Sequence, residues 1–157
     1  MITRGLEISE ADVYLVDASY SMRGEKWGQI NAFPFPKGAK IYTYTTFNYN
    51  CDLDLRSLRP IGNTPLWSAL YQLLEQIESR QTITVVTDGE DNASKKTSEE
   101  AIALAKRKGI HINIVGFDVK RAYLPALQTI AKETGGSIYL ETRAEEETPL
   151  GRTLLPY

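Results

Sequence analysis

The chain has 157 residues, 42% hydrophobic and 24% charged, a balance that fits one soluble globular domain with a single core. A formal net charge of −2 gives no electrostatic case for nucleic acid or an anionic membrane as partner. Its single cysteine, Cys51, excludes an internal disulfide; with no signal-like apolar run at the start and no membrane-spanning stretch, the expected compartment is the cytoplasm, or a virion for a viral gene.

After a polar start, Asp12 to Asp17 reads as the first strand, apolar at nearly every position as a central parallel strand would be. Arg23-Gly24 turns the chain into a short helix from Glu25 to Phe33 that carries Trp27 and Ile30 inward, and Pro34 and Pro36 end it. Lys40 to Phe47 is dense in β-branched and aromatic residues and reads as the second strand. Asn48 to Asn50 are expected to turn. Cys51 to Leu58 then alternates apolar and charged residues with period two, as a half-exposed edge strand does, and the tight connection makes it antiparallel to its neighbour.

Pro65 suits the first position of a helix whose Leu66, Leu70, Leu73, Leu74 and Ile77 share one stripe. Thr82 to Thr87 is a fourth strand. Thr97 and Glu100 make a capping box that opens a further helix, and Lys106-Arg107-Lys108 with Gly109 close it, cations lying at the negative end of the helix dipole. Ile110 to Phe117, Ala122 to Thr134 and Ser137 to Glu141 follow as strand, helix and strand. The alternation of β and α with one hairpin interruption specifies an α/β fold: a three-layer α/β/α sandwich on a mostly parallel sheet. Residues 1–141 form that domain. Thr142 to Tyr157 is a tail, acidic at first and apolar at its end, that docks on the body or binds a partner.

The informative stretch is Val13-Tyr14-Leu15-Val16-Asp17-Ala18-Ser19-Tyr20-Ser21, a buried strand running straight into an acid and two hydroxyls. In open α/β sheets ligands sit beyond the carboxyl ends of the strands. Two other segments deliver oxygen donors to the same edge: Gly62-Asn63-Thr64, where a helix opens, and Thr87-Asp88-Gly89, where a strand ends. Asp17, Ser19, Ser21, Thr64 and Asp88 are then candidate ligands from three loops. Oxygen donors alone suit a hard divalent cation rather than zinc or iron. With few carboxylates, Mg²⁺ is the natural occupant and Mn²⁺ a substitute, whereas Ca²⁺ takes more oxygens.

Asp-x-Ser-x-Ser at 17 to 21, Gly-x-Thr at 62 to 64 and Thr-Asp-Gly at 87 to 89 resemble the metal-ion-dependent adhesion site (MIDAS) of von Willebrand factor A (vWA) domains. The order and spacing fit, and the resemblance covers nearly the whole chain. It implies a Rossmann-like six-stranded sheet in the order 3-2-1-4-5-6 with strand three antiparallel at the edge. It also implies that one or both acids act through bound water, leaving the metal with a place that faces solvent. A partner protein's Asp or Glu would fill that place, making the domain an adhesion or scaffold module, commonly within a larger assembly. Tyr20 would stand beside the open place and offer contact area to that partner. The short first helix and the bulky Tyr20 depart from the family pattern.

The bland alternatives are specific. Asp17, Ser19 and Ser21 suffice for a cap or turn, Thr64 for an N-cap, and Asp88-Gly89 for a turn. Glu90, Asp91 and Asp118 read as solvated surface acids. An assembly protein whose metal only staples the loops together is the second functional reading. Enzymatic readings lack parts: Ser19 stands where an aspartyl-phosphate phosphatase needs its second acid, and His111 is the sole histidine. The chain has no Gly-x-Ser-x-Gly elbow, no Gly-x-Gly-x-x-Gly after strand one and no P-loop. A metal-dependent phosphohydrolase with an unrecognised base is the enzymatic reading left, and the expectation is a binding protein, not an enzyme.

Overall fold

In the computed structural model, which describes residues 11–17, 22–31, 40–44, 49–51, 66–91 and 94–141, strand β1 (Val13–Asp17) is buried at every position. Successive side chains of a strand point to opposite faces. Val13 and Leu15 accordingly join one apolar cluster, while Tyr14 and Val16 join another. Both faces of the sheet are therefore covered, as the apolar run in β1 requires.

Strands β2 (Lys40–Tyr44) and β4 (Thr82–Thr87) flank β1, both parallel to it. β5 (His111–Phe117) and β6 (Ile138–Glu141) extend the parallel sheet beyond β4. The short β3 (Tyr49–Cys51) pairs antiparallel with β2, and the sheet order is β3-β2-β1-β4-β5-β6. Helix α1 (Glu25–Asn31) packs Trp27 and Ile30 with Tyr14, Val16, Val86, Val115, Phe117 and Tyr139 on one face. Helices α2 (Leu66–Gln76), α3 (Ser98–Lys108) and α4 (Leu124–Glu133) bury their apolar stripes in the cluster on the other. The expected α/β class, a parallel sheet with flanking helices, is the one that forms. Burying each Leu of α2 contributes about 1.5–3 kcal/mol before side-chain entropy is set against it.

The helix ends are held largely by side chains. Thr97 accepts from the Glu100 amide and the Glu100 carboxylate accepts from the Thr97 amide, while Gly109 ends α3 at φ 68°, in the left-handed region. Lys108 reaches sideways to the carbonyls of Leu74 and Ile77, where α2 ends. The basic cluster that closes α3 therefore also closes its neighbour. Among the described residues, no helix is long and apolar enough to cross a membrane.

The structure departs from the sequence reading at Tyr49 and Asn50. Helix α1 is described to Asn31, and residues 32–39 lie outside the described residues. Of the turn expected at Asn48 to Asn50, Tyr49 and Asn50 instead belong to β3, and Asn48 lies outside the described residues. Pairing with β2 recruits them: Tyr49 sits opposite Tyr44, Asn50 opposite Thr43 and Cys51 opposite Tyr42. Local turn propensity in asparagine gives way to cross-strand pairing. The alternating segment 52–58 and the tail 142–157 lie outside the described residues.

Gly136 follows α4 where the chain crosses close to β5. Its amide donates to the Ala131 carbonyl at 2.8 Å, and a Cβ at this position would run into the Ile112 carbonyl. Gly136→Ala is expected to cost about 1–3 kcal/mol through backbone displacement. A urea unfolding midpoint equal to that of the wild type would contradict this close approach.

Candidate metal centre

Asp17 ends β1 and Asp88 follows directly on β4, so the parallel pairing of these strands brings two acids to one edge. Asp17 has no exposed surface. A carboxylate so buried carries a desolvation cost of several kcal/mol and needs partners. One partner is Thr87, whose Oγ1 donates to Asp17 Oδ2 at 2.9 Å. The same Thr87 Oγ1 accepts from the Gly89 amide at 3.0 Å. A hydrogen-bond chain thus runs from the turn after β4, through Thr87, to the acid of β1. A hydrogen bond to a charged group contributes about 1.5–3 kcal/mol, so the Thr87 hydroxyl is a substantial part of what keeps Asp17 in place.

Asp88 is 3% exposed. Its Oδ1 accepts from the Glu90 amide at 3.0 Å, and its Oδ2 lies 3.0 Å from Lys26 Nζ on α1. Gly89 adopts φ 84°, and a Cβ there would meet Leu127 Cδ1 and Tyr123 Cβ at 3.0 Å each. The turn can therefore bend tightly under α4 only with glycine at this position. Beside it opens a cavity of about 420 Å³ whose lining includes Arg23, Lys26 and Lys120 as cations and Asp88, Glu90 and Asp118 as acids.

The start of α2, two residues after Thr64 in the chain, is clasped to the loop that follows β4. The Trp67 amide donates to Asp91 Oδ1 at 3.3 Å and the Ser68 amide to Ser94 Oγ at 3.0 Å. Ser68 Oγ in turn accepts from the amides of Lys95 and Lys96, at 2.7 and 3.1 Å. Ser94 Oγ donates to Asp91 Oδ1, closing the network. The first-turn amides of α2 have no partner within their own helix. Here a different loop supplies the partners.

Asp17 ends β1 and Asp88 follows β4, the strand paired with it. Ser19, Tyr20, Ser21 and Thr64 lie outside the described residues. Asp91 corrects the sequence reading: it is a helix cap, not a solvated acid, and the reason is a contact spanning 24 residues that no local pattern encodes. Glu90 and Asp118, both partly exposed, line the cavity at this edge. Lys26 and Ser94 were missed as members of this edge, and Thr87, though part of the motif, was not read as the partner of Asp17. Thr87 carried a signal, a hydroxyl directly before the acid that ends a strand. Lys26 carried none, since it pairs across 62 residues. His111 begins β5, at the opposite edge, with Nδ1 2.7 Å from the Thr134 carbonyl oxygen.

Two buried carboxylates and the Thr87 hydroxyl that donates to Asp17 are all oxygen donors, and Asp88 already receives a cation in the form of the Lys26 ammonium. That chemistry fits a hard divalent ion such as Mg²⁺. Among the described residues no three His, Cys, Asp or Glu side chains cluster as a metal site. A cation held at this edge would need hydroxyls and water beside Asp17 and Asp88 to complete its shell.

Comparison with known proteins gives a consistent picture. Residues 55–150, more than half of the chain, match the family model of the von Willebrand factor type A domain. The match takes in Thr64 and Asp88 but begins after Asp17, Ser19 and Ser21. The uncharacterized protein YwmC of Bacillus subtilis (strain 168) is 30% identical over 105 residues, 63% of this chain and 46% of that protein. The chain thus spans about half the length of the curated relative it matches. Among solved structures, the SpRpn10 VWA domain aligns at TM-score 0.56 with 15% identity, covering 91% of this chain and 97% of that one. Proximal thread matrix protein 1 from the mussel byssus aligns at TM-score 0.58 with 17% identity, covering 83% of this chain and 40% of that one. At such identities the likeness is one of fold.

The clasp makes a separate prediction. Asp91→Ala leaves the Trp67 amide without its carboxylate partner and is expected to cost about 1 kcal/mol, as loss of an N-cap does. The melting temperature should fall by about 2–4 °C for a domain of this size. An unchanged melting curve would show that water replaces the cap without loss.

Proposed function

The chain belongs to the von Willebrand factor type A domain family, and on that premise we propose that it is a metal-dependent protein-binding module. Asp17, Ser19, Ser21, Thr64 and Asp88 hold the cation, and an Asp or Glu of a partner protein completes its coordination. Mg²⁺ is the resident ion, with Mn²⁺ or Ca²⁺ as substitutes. The domain acts by binding, without turnover, and works within a larger assembly. Domains of this type are in general protein-interaction or adhesion modules.

One observation carries the reading. Two buried acids, one ending β1 and one directly following β4, lie at the same edge of adjacent parallel strands, so negative charge is concentrated where a cation would offset its desolvation. The ligands from Ser19, Ser21 and Thr64 are neutral hydroxyls and remove none of the metal's charge. A metal bound mainly through hydroxyls and water keeps its attraction for a further anion, and a partner's carboxylate is the anion that proteins offer. Charge-assisted contacts of that kind are short and strong.

Titration of Mg²⁺ into metal-stripped protein should give saturable heat, and Asp17→Ala should weaken binding at least about a hundredfold, as expected for removal of a charged ligand. Pull-downs from a lysate should retain a protein in Mg²⁺ and lose it in chelator, while circular dichroism shows the fold unchanged. Absence of binding at millimolar Mg²⁺ would reject the metal site. Capture that survives chelation, together with a melting temperature that falls, would leave the metal only a stapling role.

A further inference from the structure

Both carboxylate oxygens of Asp88 are engaged: Oδ1 by the Glu90 amide and Oδ2 by the ammonium of Lys26, each at 3.0 Å. The pair is well shielded, with side chains 20% exposed for Lys26 and 4% for Asp88. It joins α1 to the residue that directly follows β4. A half-buried ion pair of this kind is screened far less than a surface one. A divalent ion that draws on Asp88, directly or through water, seeks the same negative charge that Lys26 neutralises.

We infer that Lys26 is an internal counter-cation that competes with the divalent metal for Asp88 and so sets how tightly the domain takes up metal. This inference rests on the metal-binding reading above and deepens it. With no metal bound, Lys26 holds Asp88 and removes the repulsion that would otherwise build up between the acids at this edge. When metal binds, the ammonium gives up Oδ2. It has somewhere to go: the cavity that Lys26 lines also presents Glu90 and Asp118. Four methylenes and free rotation let a lysine make that transfer without moving the helix that carries it. Lys26 thus stabilises the metal-free domain and weakens metal binding by the same contact, as linkage requires.

The test is calorimetric titration of Mg²⁺ into the metal-stripped full chain and its variants, with melting temperatures recorded in chelator and in excess Mg²⁺. Lys26→Met, which keeps an apolar stem and removes the charge, should bind Mg²⁺ roughly tenfold tighter or more than the wild type. In chelator it should melt below the wild type, and excess Mg²⁺ should close the gap. Lys26→Arg should bind with wild-type affinity. Lys120→Gln, which removes a cation from the same cavity, should change affinity by no more than about threefold. If Lys26→Met does not fold, Lys26→Gln takes its place in the series.

Wild-type affinity in the neutral Lys26 variant would overturn the inference while leaving the metal site standing. Equal tightening by Lys120→Gln would also overturn it, by assigning the effect to the general field. No heat from any of the proteins at millimolar Mg²⁺ would instead remove the metal site itself.

Discussion

The carboxylate of Asp17 is the constraint around which this edge of the molecule is arranged. It ends the most buried strand of the sheet and has no exposed surface. A charge in that position is tolerable only where donors converge on it. Parallel pairing of β1 with β4, in the register that sets Val16 opposite Val86, is what carries Thr87 alongside it. The turn after β4 then has little freedom. Its Gly89 amide is committed to Thr87, and its backbone passes under Leu127 and Tyr123 of the α4 region, where only glycine fits.

From there the constraint spreads outward through partners that are distant in the chain. Asp88 is held by Lys26 of α1, and Asp91 with Ser94 receives the first amides of α2. Two helices and two strands thus meet at one edge through hydrogen bonds. At the opposite edge, near the start of β5, Thr134 ties α4 to the strand through hydrogen bonds with His111 Nδ1 and the Ile112 amide. The asymmetry is physical. Apolar clusters cover both faces of the sheet and fix its stability, whereas the polar investment lies at the carboxyl ends, where α/β folds place their ligands. Membership of the von Willebrand factor type A domain family accords with that division of labour.

Much of this was legible before any coordinates. Thr82–Thr87 was bounded correctly because a run of β-branched residues ends at an acid and a glycine. The Thr97–Glu100 capping box and the Gly109 stop were equally clear, since both are local chemistry. Asp17 and Asp88 could be placed at one edge from strand ends alone. What could not be read was long-range. Asp91 looked solvated because its partner, the Trp67 amide, lies in another element. Lys26 drew no reading at all, because period and composition say nothing of a pair formed with Asp88. At β3 the local asparagines suggested a turn, and pairing with β2 drew them into a strand instead.

The central claim is that the two strand ends share one cation, and the most direct measurement uses a paramagnetic one. Substoichiometric Mn²⁺ added to isotopically labelled protein broadens amide signals steeply with proximity to the ion. The account predicts that signals of Asp17, Thr87, Asp88 and Gly89 fade first and together, while those of Glu99, Glu100 and Glu133, acids placed elsewhere, stay sharp. Fading centred on those other acids, with Asp17 and Asp88 untouched, would contradict it.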